Sequence, residues 1–507
     1  MDRARRDATP ATPALEMEPE AFRRLGHELV DTIADFLESV PRRPAAPDVS
    51  PRAVRKRIES ERTLPEAGSD PGALLRETAP LLFEGCRLNG HPRSWGYIIG
   101  TPAPLGILAD FLAAAVNPNL TAWASSPVPS EIEAQTIRWL AAFLGYPETC
   151  GGLLVSGGNM ANFVGLLCAR RAKAGWDLRR DGLAAPQAKP LTLYASAEVH
   201  TWLHKAADLF GLGTGAIREV PCDDGQRLRL DALVSMIEAD RAAGARPFLV
   251  IGSAGTVSTG AVDPLPEIAA IAREHDLWFH VDGAYGAPAV AAHRVPAELA
   301  GLREADSLAV DGHKWLYQPL EAGCVLVRDA AALPATFAYR PAYYHDPVDP
   351  AEAPLNYYQL GPQNSRCFRA LKLWLGLRCA GAAGYRAMIE RDIETAEALA
   401  GAVAAEPELE LATRNLSIAT FRFVPEGLDA GAAEAAGYLN ALNQALLTRV
   451  LKSGEAFLSN AVIGGRFVLR ACITNFRTQA ADIAALPEIV TRHGRALDAE
   501  MRPAALR

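Results

Sequence analysis

Through its middle the chain alternates short apolar runs with stretches of helical periodicity. Leu153–Val155, Leu191–Ala195, Ile217–Val220, Phe248–Ile251, Leu277–Val281, Ser307–Val310 and Gly323–Val327 read as buried strands. Between them lie helical patterns through Phe163, Leu166 and Leu167, through Trp202 to Leu209, and from Pro264 to His275. Such alternation predicts a mostly parallel sheet covered on both faces, an α/β fold. Ligands in such sheets sit beyond the carboxyl ends of the strands. Polar residues gather there: Ser156–Asn159 after the first run, Thr256 after the fourth, Asp282 after the fifth, and Asp311-Gly312-His313-Lys314 after the sixth.

The two ends of the chain read differently. Pro19, between Glu18 and Glu20, suits a helix start, and Phe22, Leu25, Leu29, Ile33, Phe36, Leu37 and Val40 follow at helical spacing up to Pro41. That stripe needs a cover, from the same chain or a second subunit. Residues 41–75 read as irregular. From about 381 the pattern becomes α+β, with a helix near Ile389–Val403, a strand near Ile418–Phe423, a helix near Leu439–Leu451, strands near Phe457–Leu458 and Phe467–Cys472, and a last helix near Ile483–His493. Three parts are expected: an N-terminal helical segment 1–90, a large domain 91–380, and a small C-terminal domain 381–507.

Composition narrows the function. The 507 residues are 49% hydrophobic and 22% charged, with 51 Lys+Arg against 59 Asp+Glu, a net charge of −8. No basic stripe offers the footprint that phosphate neutralisation requires, so nucleic acid is excluded as a leading partner and a small molecule is favoured. Eight cysteines without a C-x-x-C pair make neither a disulfide scaffold nor a metal site, and a reducing cytoplasm is the expected home. The first residues lack the apolar core of a signal peptide. The most hydrophobic window, Ile98 to Val116, holds Pro102, Pro104 and Asp110 and reads as loop and helix rather than membrane span.

Several motifs have bland readings that win. Gly211-Leu212-Gly213-Thr214-Gly215 follows a helix and precedes a strand, the reverse of a dinucleotide fingerprint, so it is a turn. His200 and His204 mimic half of a zinc motif, but Thr201 replaces the required Glu, and no metal is expected. Gly157-Gly158-Asn159, between strand and helix, could cradle a phosphate, though alone it equally fits a tight turn. Lys314 is the most informative residue. Enclosed between an apolar strand and Trp315, it loses hydration, which favours the neutral, nucleophilic amine over a snorkelling surface lysine. Asp282, also at a strand end, supplies a carboxylate. A Schiff-base lysine, a carboxylate for a ring nitrogen and a phosphate loop are the requirements of pyridoxal phosphate.

From roughly Glu18 to His493 the chain resembles group II pyridoxal-phosphate-dependent amino-acid decarboxylases, the family of aromatic-L-amino-acid decarboxylase. The segments that carry the resemblance are HPRSWGYIIGTPAPLGILAD, SGGNMANF, FHVDGAYG, DSLAVDGHKW, GPQNSRCFRALKLW and FVLRACITNFRT. It implies a type I pyridoxal-phosphate fold, like that of aspartate aminotransferase, and a homodimer embraced by the N-terminal segment. It assigns Lys314 to the Schiff base, Asp282 to the pyridine nitrogen and His200 to stacking on the ring. It sets Gly158, Asn159 and Asp311 around the phosphate, with Thr256 and His313 in the same cofactor site. Tyr343 matches the loop tyrosine that returns a proton to the reacting carbon, and Arg470 the arginine for the substrate carboxylate. Three departures stand out: Met160 for the usual Glu, Gly312 for the usual Pro, and Gly100 where animal aromatic decarboxylases have a substrate-contacting Thr. The implied activity is α-decarboxylation of an L-amino acid, an aromatic one, to amine and CO₂. The alternatives are an oxygen-consuming aldehyde synthase and a cofactor-binding protein without turnover.

Overall fold

The computed structural model describes residues 13–339, 354–429 and 434–506. Seven strands form the larger sheet: β1 (Gly151–Val155), β2 (Leu191–Ser196), β3 (Ile217–Val220), β4 (Arg246–Ser253), β5 (Trp278–Asp282), β6 (Ser307–Asp311) and β7 (Gly323–Val327). Their order is β1-β7-β6-β5-β4-β2-β3. The neighbours from β6 across to β3 are parallel, whereas β7 runs antiparallel to both β6 and β1. The reversal has a simple cause: β6 joins β7 through a loop, residues 312–322, without the crossover helix that a parallel return needs. Lys314 lies in that loop.

Side chains along the strands alternate between two cores, as a period of two dictates. Leu154, Val250, Val281, Leu308 and Leu326 pack with the helices Pro127–Phe143, Leu230–Ala242 and Leu265–Glu274. Leu153, Leu249, Ile251, Ala309 and Val325 pack with the helices Gly158–Lys173 and Trp202–Leu209. Each fully buried aliphatic side chain contributes about 1.5–3 kcal/mol of transfer free energy. The strand ends are therefore rigid places to hang functional groups.

The second sheet is antiparallel, β8 (Leu409–Asn415), β9 (Ile418–Phe423), β10 (Ser459–Ile463) and β11 (Arg466–Cys472), in the order β10-β11-β9-β8. The helices Ala435–Ser453 and Ala480–Met501 cover it. The helix Ala370–Ala405 links the two cores. Gly381, at φ +64°, interrupts it; residues up to Ile393 pack with the larger sheet, and Ala396, Leu399 and Val403 with the smaller.

Three expectations need correction. Residues 41–75 are not wholly irregular: a short helix Pro51–Arg57 starts at Ser50, and the helix Pro71–Gly85 starts at Asp70, whose carboxylate accepts from the Ala73 N–H at 2.8 Å. Phe457–Leu458 is not a strand; Phe457 makes an isolated bridge to Ser94, and β10 begins at Ser459. The edge strand β8 escaped notice because Glu410, Thr413 and Arg414 dilute its apolar signal. The helix Pro19–Ser39 packs on Pro71–Gly85, with Phe36 stacked on Phe83 at 4.0 Å, yet Phe22 and Val30 stay exposed. Among the described residues no helix is long and apolar enough to cross a membrane.

Candidate active site

Sheet register brings the polar residues together. Val155 and Asp311 both pair with Gly323, Asp282 pairs with Ala309, and Ser253 pairs with Asp282. The carboxyl ends of β1, β6, β5 and β4 therefore open on one edge. A cleft of about 320 Å³ lies there, lined by Gly158, Asn159, His200, Thr256, Asp282, Asp311, His313 and Lys314, together with Ile98, Asn162, Glu198, Tyr285 and others. A larger groove, about 500 Å³, lies between the helices Pro19–Ser39 and Pro71–Gly85 and shares no residue with it. The converging polar groups make the smaller cleft the candidate site.

On one side the helix Gly158–Lys173 begins. Its N-cap Gly157, at φ +97°, adopts backbone that a side chain would strain, and no side chain caps the helix. The first backbone N–H groups are thus free to meet an anion. A Cβ at Gly158 would come within 2.7 Å of Asp311 Oδ2, so glycine is required for this close approach. Asp311 Oδ2 lies 3.1 Å from Lys314 Nζ, and Asp311 Oδ1 is buried without a hydrogen-bond partner among the described residues. An unsatisfied buried carboxylate oxygen signals a missing partner. Burial holds His313 below its ordinary imidazole pKa, and its Nδ1 accepts from the Ala322 N–H at 3.2 Å.

On the neighbouring strand β5, Asp282 Oδ2 accepts from the Trp202 indole N–H at 2.8 Å and Oδ1 from the Ala284 N–H at 3.2 Å. His200 Nδ1 accepts from the Trp202 backbone N–H at 3.2 Å, which leaves the imidazole proton on Nε2. Burial lowers the His200 pKa, against the pull of Asp282, so the ring is mainly neutral at pH 7. The Thr256 hydroxyl lies 3.0 Å from that of Thr259 inside the Gly255–Ala261 turn.

Two expected residues stand apart. Tyr343 lies outside the described residues. Arg470 is buried and absent from the cleft lining; its guanidinium donates to the backbone carbonyls of Val257 and Gly96, the latter at 2.7 Å. At Gly100 a side chain has no room to contact anything in the cleft, because a Cβ there would overlap the Lys314 carbonyl oxygen. The Thr-to-Gly departure therefore changes backbone packing. Sequence reading missed Trp202, whose apolar helix position suggested core alone, and Asp392. The latter lies fully buried on the helix Ala370–Ala405, where its Oδ2 accepts from Trp315 Nε1 at 3.0 Å and Tyr317 OH at 2.7 Å. His204 pairs with Glu219 at 3.2 Å, and no cluster that could hold a metal occurs among the described residues.

The donor set fits pyridoxal phosphate: an amine for an aldehyde, a carboxylate in the same cleft for a ring nitrogen, and an uncapped helix start for a phosphate. Comparison with known proteins agrees. A family model described as the pyridoxal-dependent decarboxylase conserved domain matches residues 51–424. The chain is 34% identical to an aromatic-L-amino-acid decarboxylase of Bacillus atrophaeus, over 92% of this chain and 94% of that one. It is 28% identical to a phenylacetaldehyde synthase of a Rosa hybrid cultivar, over 95% of each. It also resembles a crystal structure of Oryza sativa TDC with PLP and tryptamine, with a TM-score of 0.87 and 28% identity, covering 95% of this chain and 99% of that one.

Proposed function

We propose that this chain, which belongs to the pyridoxal-dependent decarboxylase family, removes the α-carboxylate of an aromatic L-amino acid and releases the amine and CO₂. The observation that carries the reading is the convergence of Lys314, Asp282, His200 and the Gly158–Asn159 helix start on one cleft. Bound pyridoxal phosphate supplies a ring that accepts the electron pair of the breaking bond. Lys314 Nζ would hold the cofactor through its aldehyde. Asp282 would keep a proton on the ring nitrogen, which sustains the electron demand. His200 would cover the ring, with Thr256 and His313 in the same cofactor site. Gly158, Asn159 and Asp311 would hold the phosphate group. Arg470 would act on the substrate carboxylate only indirectly, through the Gly96 and Val257 backbone that its guanidinium holds, and the Tyr343 phenol would return a proton to the α-carbon.

We further take the chain as an N-terminal segment 1–90, a large domain 91–380 and a small domain 381–507, working as a homodimer in the cytoplasm. The helix Pro104–Val116 exposes Leu108, Phe111, Leu112 and Val116, and the helix Pro71–Gly85 exposes Leu74, Leu75 and Leu82, apolar surface that a second copy would cover. All eight cysteines are unpaired, in keeping with a reducing compartment. Light scattering on the eluting peak tests the dimer.

Similarity to phenylacetaldehyde synthase supports an aldehyde product as the second reading. The deciding experiment incubates purified protein and pyridoxal phosphate with each aromatic amino acid under air and measures amine, aldehyde, ammonia and peroxide per CO₂. Amine equal to CO₂ supports the first reading. Aldehyde with ammonia and peroxide replaces it with the second. No CO₂ from any amino acid refutes both.

A further inference from the structure

We propose that Trp202 is a positioning residue for Asp282: its indole N–H fixes the carboxylate plane so that the remaining lone pairs face the cofactor ring nitrogen. The inference rests on the reading of Asp282 as the partner of that nitrogen. A carboxylate offers about four acceptor positions, and its terminal torsion is intrinsically broad. Here two donors on different oxygens restrain it, Trp202 Nε1 at 2.8 Å on Oδ2 and Ala284 N at 3.2 Å on Oδ1. The shorter bond comes from the indole. Without it, a single longer contact would resist rotation.

The donor is itself immobile. Trp202 is fully buried, tilted against Phe163 and edge-on to His280 with ring centroids 6.0 Å apart. His280 is pinned in turn, Nδ1 to Ser307 Oγ and Nε2 to Asn162 Oδ1, both at 2.7 Å. His280 and Asp282 stand two residues apart on β5 and so share a face, over which the indole lies. A buried indole N–H needs some acceptor, and core packing alone would be met by any carbonyl. This one meets the cleft carboxylate, while the same residue's backbone N–H donates to His200. One side chain thus sets a group at the ring edge, and its peptide restrains a group at the ring face.

The test measures cofactor dissociation constants of apoprotein, without turnover, for pyridoxal phosphate and for its deaza analogue, in which carbon replaces the ring nitrogen. Trp202→Phe keeps an aromatic ring without the N–H. It should weaken pyridoxal phosphate by roughly ten-fold, the scale of one hydrogen bond to a charged group, and leave the deaza analogue within two-fold. In an Asp282→Asn background the same change should add less than two-fold. If Trp202→Phe folds poorly, a benzothienyl isostere at 202, with sulfur for N–H, should give the same pattern. Phe163→Leu loosens the same packing without removing the donor, and should weaken both ligands equally or neither. Equal weakening of both ligands by Trp202→Phe, or full additivity with Asp282→Asn, would reduce Trp202 to packing and overturn the inference. Should Asp282→Asn alone leave pyridoxal phosphate binding unchanged, the assignment of Asp282 falls first, and the inference with it.

Discussion

Gly100→Ala adds one carbon, and the structure says where it must go. The Gly100 N–H donates to the His313 carbonyl at 2.9 Å, so this peptide lies directly against the lysine turn. A Cβ at position 100 would overlap the Lys314 carbonyl oxygen and stand 3.1 Å from its carbonyl carbon and 3.2 Å from Tyr317 Cα. Comfortable carbon–carbon contacts are roughly 3.5–4.0 Å. Relief cannot come from a flexible side chain, because every clashing atom belongs to the backbone. The lysine turn or the 98–101 strip must therefore move by on the order of 1 Å, a displacement that costs about 10²-fold in rate when it reaches the reacting groups. We expect kcat for CO₂ release to fall about 10²-fold in cofactor-saturated enzyme, with the absorption of the lysine-bound cofactor altered. Gly85→Ala, where nothing lies within 4 Å of the added carbon, is the control and should change neither. A Gly100→Ala enzyme with kcat within three-fold of wild type and full cofactor occupancy would refute the claim that this close approach positions Lys314.

Other variants probe separate parts of the site. Lys314→Ala should leave no lysine reducible onto the cofactor by borohydride, and peptide mapping of the wild-type label should find it at position 314. Asp282→Asn should lower kcat at least ~10²-fold, about 2.7 kcal/mol of transition-state stabilisation; near-normal kcat at full occupancy would remove its role. Tyr343→Phe should still release CO₂ but shift product from amine toward aldehyde, ammonia and peroxide under air, and an unchanged amine yield would assign the proton to another donor. Burial pushes the Asp392 carboxyl up to about 7 from its ordinary 3.8, so between those values the folded chain holds a proton that the unfolded chain has released. Wild-type stability should therefore fall relative to Asp392→Asn by about 1.4 kcal/mol per pH unit as pH rises toward 7, then level off. Urea midpoints of the two proteins from pH 5 to 9 check this, and a constant difference would contradict it.

Much of the larger sheet was legible because its strands are short apolar runs punctuated by glycine and polar residues, and the candidate residues sit at their ends. Lys314, Asp282 and Gly158 could be picked out for that reason. The direction of β7 was not, since local periodicity is blind to whether a connection crosses over. β8 was hidden by its charged edge, and Trp202 and Asp392 by their ambiguity. A tryptophan at the start of an apolar helix reads as core, and an aspartate inside a helix reads as solvated, until the fold shows what each one faces. The constraint on Gly100 was hidden for a related reason: it comes from a backbone more than two hundred residues away.

These long-range contacts also explain why the cleft needs residues from opposite ends of the chain. The strip 93–101 runs between the two sheets. Trp95 N and the Phe457 carbonyl pair at 2.8 Å, Phe457 N and the Arg93 carbonyl at 2.9 Å, Cys472 N and the Trp95 carbonyl at 2.8 Å, and Thr101 N and the Thr474 carbonyl at 3.2 Å, before Gly100 meets His313. Arg470 on β11 adds its guanidinium contacts to Gly96 and Val257, and Asp392 reaches the lysine turn through Trp315 and Tyr317. Trp315 in turn stacks on Tyr285 at 4.9 Å, next to the segment that carries Asp282. The turn that carries Lys314 and the segment that carries Asp282 are thus joined by one continuous framework that includes the smaller sheet. Loosening any of these braces should disturb both sides of the cleft together, so kcat and cofactor affinity should decline in step across such variants; a brace variant that lowers one and leaves the other at its wild-type value would contradict this.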